Sequence, residues 1–173
     1  MAFTAFPDTN ALYGEYLCDT LLRLAEAGTY QPLWSAGVLE ELERNLVDNA
    51  GLAPDAVRRR IGAMQRAFPD AKVRGYEGLI ESMTCDGKDR HVLAAAVRGQ
   101  SDVLVTFNVS DFPEESTTPH DVEVINPDDF LLDQLRPLSR DHGDGIAPPS
   151  RRLCCACHDD GATAGRFGNR RRP

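Results

Sequence analysis

Two patterns alternate along the first 135 positions. Short apolar runs rich in β-branched and aromatic residues read as strands: 2–7 (AFTAFP), 32–34 (PLW), 103–107 (VLVTF) and 122–125 (VEVI), with a brief strand at 72–74. Between them, apolar residues recur at helical spacing. Leu12, Tyr16, Leu17, Leu21 and Leu24 form one such set, which Gly28 closes. Ser35 caps a second, carrying Val38, Leu39, Leu42 and Leu46. Pro54 opens a third, with Val57, Ile61, Met64 and Phe68 on one face. Leu79, Ile80 and Met83 suggest a helical turn or two. Val92, Leu93, Ala96 and Val97 predict a fourth helix that Gly99 stops, with Asp86 as its expected cap and Asp89 in its first turn. Asn126 caps a last helix whose apolar side is Phe130, Leu131 and Leu135. Pro7 is awkward inside a central strand, so pairing should end near it.

Strands alternating with helices predict an α/β domain with a mostly parallel sheet over residues 1–135. Residues 136–173 are rich in Gly, Pro and Arg and poor in periodic apolar residues, so they are expected to form a low-complexity, disordered tail. Its Cys154, Cys155, Cys157 and His158 are metal-like residue types, but no standard zinc spacing joins them. Cys18 and Cys85 are isolated, and the five cysteines form no disulfide framework. The start, MAFTAFPDTN, has no basic segment ahead of an apolar core, and no run of 18 apolar residues exists. The expectation is a cytoplasmic protein without a membrane span. A net charge of -8 argues against nucleic-acid binding through a broad basic surface, yet leaves room for a nuclease whose acids hold metal.

The chemistry-bearing residues fall where elements begin and end. In an open parallel sheet, ligands bind beyond the carboxyl ends of the strands. Asp8 ends the first strand, and Asp111 follows the fourth. Asp89 starts a helix that must begin near the same pole, and the helix after the second strand carries Glu40, Glu41 and Glu43. Carboxylates that close repel, so they either protonate or hold a cation. Oxygen donors without Cys or His favour Mg²⁺ or Mn²⁺. On a helical wheel Glu41 and Glu43 flank Leu42 on opposite edges and Glu40 points further out, which leaves the choice among them open. Thr9, Asn10, Thr106 and Asn108 supply hydroxyls and amides nearby; Asn108 is also a substitute for Asp111. His91 reads as a surface or half-buried side chain, and Arg58-Arg59-Arg60 as a solvated helix face or a landing place for phosphates.

Four stretches, PDTNAL at 7–12, SAGVLEELERNL at 35–46, DGKDRHVLAAAV at 86–97 and VLVTFNVSDF at 103–112, resemble the PIN-domain nucleases. They most resemble the toxins of bacterial VapBC-type toxin–antitoxin pairs. The resemblance implies a three-layer α/β/α fold and places the family's acids on Asp8, Glu41, Asp89 and Asp111. It implies an endoribonuclease using Mg²⁺ or Mn²⁺ held by Asp8, Asp89 and Asp111, with Glu41 as a further acid of the cluster or base for water. It also implies an RNA substrate, a cognate antitoxin and a homodimer. The rival from outside enzymology is a catalytically silent PIN-like module that binds RNA or a partner. An aspartyl phosphotransfer enzyme is disfavoured, because Asn10 stands where a second acid is needed two residues after Asp8. A flap-type DNA nuclease would need a basic arch for which the chain is too short.

Overall fold

The computed structural model describes residues 3–135; the expected tail at 136–173, with its cysteine cluster, lies outside the described residues. A four-stranded, all-parallel sheet forms the middle layer. Its strands are β1 (Thr4–Pro7), β2 (Gln31–Pro32), β5 (Val103–Val105) and β6 (Glu123–Ile125), in the order β2-β1-β5-β6. β3 (Trp34–Ser35) and β4 (Lys72–Val73) make a separate parallel pair. The helices are α1 (Thr9–Tyr13), α2 (Glu15–Glu26), α3 (Ala36–Asp48), α4 (Pro54–Ala67), α5 (Arg90–Arg98), α6 (Glu114–Thr117) and α7 (Pro127–Leu135).

Alternation along the central strands divides the core. Phe6 and Leu104 face one side, with Leu42 and Leu46 of α3, Val57 of α4 and Leu93 of α5. Ala5, Val103 and Val105 face the other, with Leu21 of α2, Tyr30 and Phe130 of α7. Tyr30 and Phe130 meet edge to face, their ring centroids 5.0 Å apart. The result is a three-layer α/β/α domain. Residues buried on both faces explain why these short strands are apolar almost without interruption. Pro7 is the last residue of β1, so its missing N–H costs the ladder nothing further along; the next amide, of Asp8, still bonds to the Val105 carbonyl at 2.9 Å.

Several expectations need correction. The expected strand at 32–34 divides at Leu33: Pro32 pairs with β1, and Trp34 pairs with β4. The first helix breaks at Gly14, whose extended backbone separates α1 from α2, and Tyr16 is solvent-exposed at 88% instead of joining the core. Asp86 does not cap α5. Its Oδ1 accepts from the Lys88 amide at 3.1 Å in a local turn, and Asp89 occupies the cap position with its side chain pointing elsewhere. Leu135 is exposed while Gln134 is buried. The helical turn expected around Leu79 to Met83 is present, as a 3₁₀ helix at Glu77–Ser82. Gly99 ends α5 as expected, but for a packing reason. Its φ is ordinary, while a Cβ there would sit 2.8 Å from Val73 Cγ2 and 3.1 Å from Leu33 Cδ1. The left-handed residue is Gln100, φ 53°. Among the described residues, no helix is long and apolar enough to cross a membrane.

Candidate active site

The chain runs from β1 to β2 on one side and later enters β5 on the other. The crevice between the carboxyl ends of β1 and β5 is therefore the point where strand order reverses, the usual ligand position in such sheets. Asp8 and Thr106 leave the two strands there. Both are buried, Asp8 at 5% exposure and Thr106 at 0%.

Asp8 is held on both oxygens. Oδ1 accepts from the Thr9 amide at 2.6 Å, and Oδ2 accepts from the Thr106 hydroxyl at 3.0 Å. The Thr106 oxygen in turn accepts from Asn10 Nδ2 at 2.9 Å and from the Asn108 amide at 3.1 Å. A hydroxyl has one proton and two lone pairs, and these three bonds use all of them. Asn10 Oδ1 accepts from the Phe107 amide at 3.2 Å, which ties the loop after β5 to α1. Burial nevertheless pushes the Asp8 carboxyl above its ordinary range; the bonds from Thr9 and Thr106 hold it down, and the charge of Glu41 adds to the rise.

Glu41 reaches the site from α3. Its Oε2 accepts from the Thr9 hydroxyl at 2.9 Å, and His91 Nε2 stands 3.7 Å from the same oxygen. His91 Nδ1 lies 2.9 Å from the Lys88 carbonyl, which can only accept, so Nδ1 donates there. Glu40 and Glu43 line a different groove between α3 and α4, where Glu43 pairs loosely with Arg58 at 4.0 Å. Of the three glutamates, Glu41 is the one bonded to Thr9, the residue next to Asp8. Arg60, from the basic run of α4, donates to the Leu12 carbonyl at 2.8 Å and supports α1 from behind.

Asp89 and Asp111 complete the rim. The Asp89 carboxyl is pushed up to about 6, first by burial and then by the charges of Asp8, Asp111 and Asp86, against the opposing effect of Lys88. The acids thus feel one another's charges. Asp89 Oδ2 is buried and accepts no hydrogen bond. Lys88 Nζ stands 3.8 Å from it and 2.9 Å from Asp111 Oδ2. Asp111 lies in a 3₁₀ turn, its amide bonded to the Asn108 carbonyl at 3.0 Å. The Asn108 backbone thus bonds to both Thr106 and Asp111, and the residue is exposed.

Lys88 is the residue that sequence reasoning missed. A lone cation between two acids in Asp86-Gly87-Lys88-Asp89 was the available signal. Among the described residues, no three His, Cys, Asp or Glu side chains already form a set that could hold a metal ion. The donors nonetheless fit a hard divalent cation. They are carboxylate oxygens that raise one another's proton affinity, and one buried oxygen among them has no hydrogen-bond donor.

Residues 5–110 match the PIN domain family. Over 61 residues the chain is 52% identical to a Mycobacterium tuberculosis protein named as a candidate ribonuclease, VapC50. That stretch is 35% of this chain, and it spans only 36% of that relative's length. Among solved structures, a chain from FitAB bound to an IR36 DNA fragment superposes with a TM-score of 0.46 at 16% identity, covering 71% of this chain and 94% of that one. A chain of FitAcB from Neisseria gonorrhoeae gives the same score and identity over 97% of its length.

Proposed function

The chain belongs to the PIN-domain family, and from that premise we propose that it is an endoribonuclease dependent on Mg²⁺ or Mn²⁺. The observation that carries the proposal is the convergence of Asp8, Glu41, Asp89 and Asp111, from four distant segments, on the reversal point of the sheet. Asp8, Asp89 and Asp111 would hold the ion. When bound, it supplies positive charge to the scissile phosphate and makes water easier to deprotonate.

The remaining steps belong to the side chains. Thr106 fixes the rotamer of Asp8, and Asn10 fixes Thr106. Thr9 aims Glu41 into the rim, where its carboxylate takes the proton of the attacking water as general base. His91, held through Nδ1 at the Lys88 carbonyl, turns Nε2 toward Glu41 and steadies it at the rim. Cys85 is buried and burial raises its thiol, which leaves it unsuited to nucleophilic attack. In this reading water is the nucleophile, and no covalent intermediate forms.

In this proposal the protein is the toxin of a type II toxin–antitoxin pair in the cytoplasm, acting as a homodimer and silenced by its cognate antitoxin. Support comes from the family and from the VapC50 relative. The test is cleavage of single-stranded and hairpin RNA by the purified protein with Mg²⁺, with Mn²⁺ and with EDTA. Activity should need the ion and vanish in both Asp8→Asn and Asp89→Asn. Cleavage that persists in EDTA or in both variants rejects the assignment.

A further inference from the structure

We propose that Lys88 is a built-in counter-ion that competes with the divalent cation for the Asp89–Asp111 edge of the site. The inference rests on the metal-site reading above. Lys88 Nζ lies 2.9 Å from Asp111 Oδ2 and 3.8 Å from Asp89 Oδ2, so one ammonium spans the two carboxylates. It makes a hydrogen bond to Asp111, while the Asp89 oxygen it faces is buried and receives no bond from any donor. The ammonium therefore supplies charge at this edge without saturating it. A divalent ion supplies twice the charge and can bond both oxygens directly.

The attachment of Lys88 suits a displaceable group. Its main chain is fixed at both ends: the amide donates to Asp86 Oδ1 at 3.1 Å, and the carbonyl accepts from His91 Nδ1 at 2.9 Å. Its side chain is 63% exposed and hangs on a flexible four-carbon stem. The ammonium can swing out while the turn that carries Asp89 stays in place. In the metal-free protein Lys88 offsets part of the repulsion among the acids; on metal binding it moves to the rim, where an incoming phosphate meets a positive charge in an otherwise acidic chain. Lys88 is thus a positioning residue that sets the ion concentration at which the site loads.

The test uses the full chain stripped of metal with a chelator. Mn²⁺ is titrated at fixed ionic strength, and binding is read from the free-ion paramagnetic resonance signal and from the thermal shift. Lys88→Met should lower the Mn²⁺ midpoint about five- to tenfold, the scale of removing one unit charge from a half-exposed cluster. It should also lower the melting temperature of the metal-free protein. Lys88→Gln should act alike, and Lys88→Arg should keep the wild-type midpoint within about twofold. A midpoint unchanged or raised in both neutral variants overturns the inference and leaves Lys88 as a surface ion pair. Asp89→Asn is the control: it should abolish the titration. Wild-type protein that takes up no Mn²⁺, or takes it up equally with Asp89→Asn, rejects the metal site itself and the role of Lys88 with it.

Discussion

Thr106, at the end of β5, gives its one hydroxyl proton to Asp8, at the end of β1, across 98 residues of chain and 3.0 Å of space. This bond ties the two central strands together at the point where the acids gather. It also keeps the Asp8 carboxyl lower than burial alone would set it. Thr106→Val keeps the shape and removes the donor. It leaves a buried carboxylate oxygen and two donors, from Asn10 and Asn108, without their partner. Stability should fall by about 1–3 kcal/mol by urea denaturation, and cleavage should fall with it because Asp8 is no longer fixed.

Asp8 and Asp89 both have folded-state values above those of an unfolded chain, Asp89 rising from 3.8 to about 6. The contribution of Asp89 to stability is therefore fully present below about pH 4 and is lost as pH rises through about 6, and that of Asp8 is lost in the same direction. At pH 7.5 the ionised cluster is a cost to the metal-free fold. Asp89→Asn should raise metal-free stability there by on the order of 1 kcal/mol, after allowance for solvent screening. The gain should shrink as pH falls below 6. Saturating Mn²⁺ should reverse the ranking, since the ion stabilises only the wild-type site. Thermal melts across pH 4.5–8, with and without ion, check each part.

Among the three glutamates of α3, only Glu41 should matter for chemistry. Glu41→Gln should lower single-turnover RNA cleavage about 10²-fold or more, the scale of losing a general base. Glu40→Gln and Glu43→Gln, which alter the groove toward α4, should stay near wild type. Thr9→Val should fall between, because it frees Glu41 without removing it.

Gly99 is needed for space. Gly99→Ala would press a methyl against Val73 and Leu33 and should cost about 1–3 kcal/mol. Its cleavage rate well below the melting temperature should be close to wild type, since α5 can shift slightly without moving its first turn.

Much of this was legible in the sequence where pattern runs long enough to speak. The helices carrying Val38, Leu39 and Leu42, or Val57, Ile61 and Met64, declared themselves by period and cap. The parallel sheet followed from their alternation with apolar runs, and Asp8 and Asp111 followed from strand ends. Two-residue strands carry no period, so the division at Leu33 between two sheets was invisible. Asp86 and Asp89 both suit a helix start; tertiary packing decided that the later one takes the cap position while its side chain serves the rim. Helical spacing alone did not separate Glu41 from Glu40 and Glu43; the resemblance preferred it, and the Thr9 hydroxyl bonds to it. Lys88 showed in the sequence only as a cation between two acids; its bond to Asp111, 23 residues away, leaves no mark in local pattern.

The central claim is that Asp8, Asp89 and Asp111 share one divalent cation. Crystals of the protein soaked in Mn²⁺ and measured at a wavelength where manganese scatters anomalously test it directly. The account expects one strong anomalous peak at the carboxyl end of β1 and β5, about 2.0–2.3 Å from oxygens of Asp8 and Asp89, with Asp111 closing in and Lys88 turned outward. A rim empty of anomalous density at saturating Mn²⁺, with Lys88 still on Asp111, would contradict it.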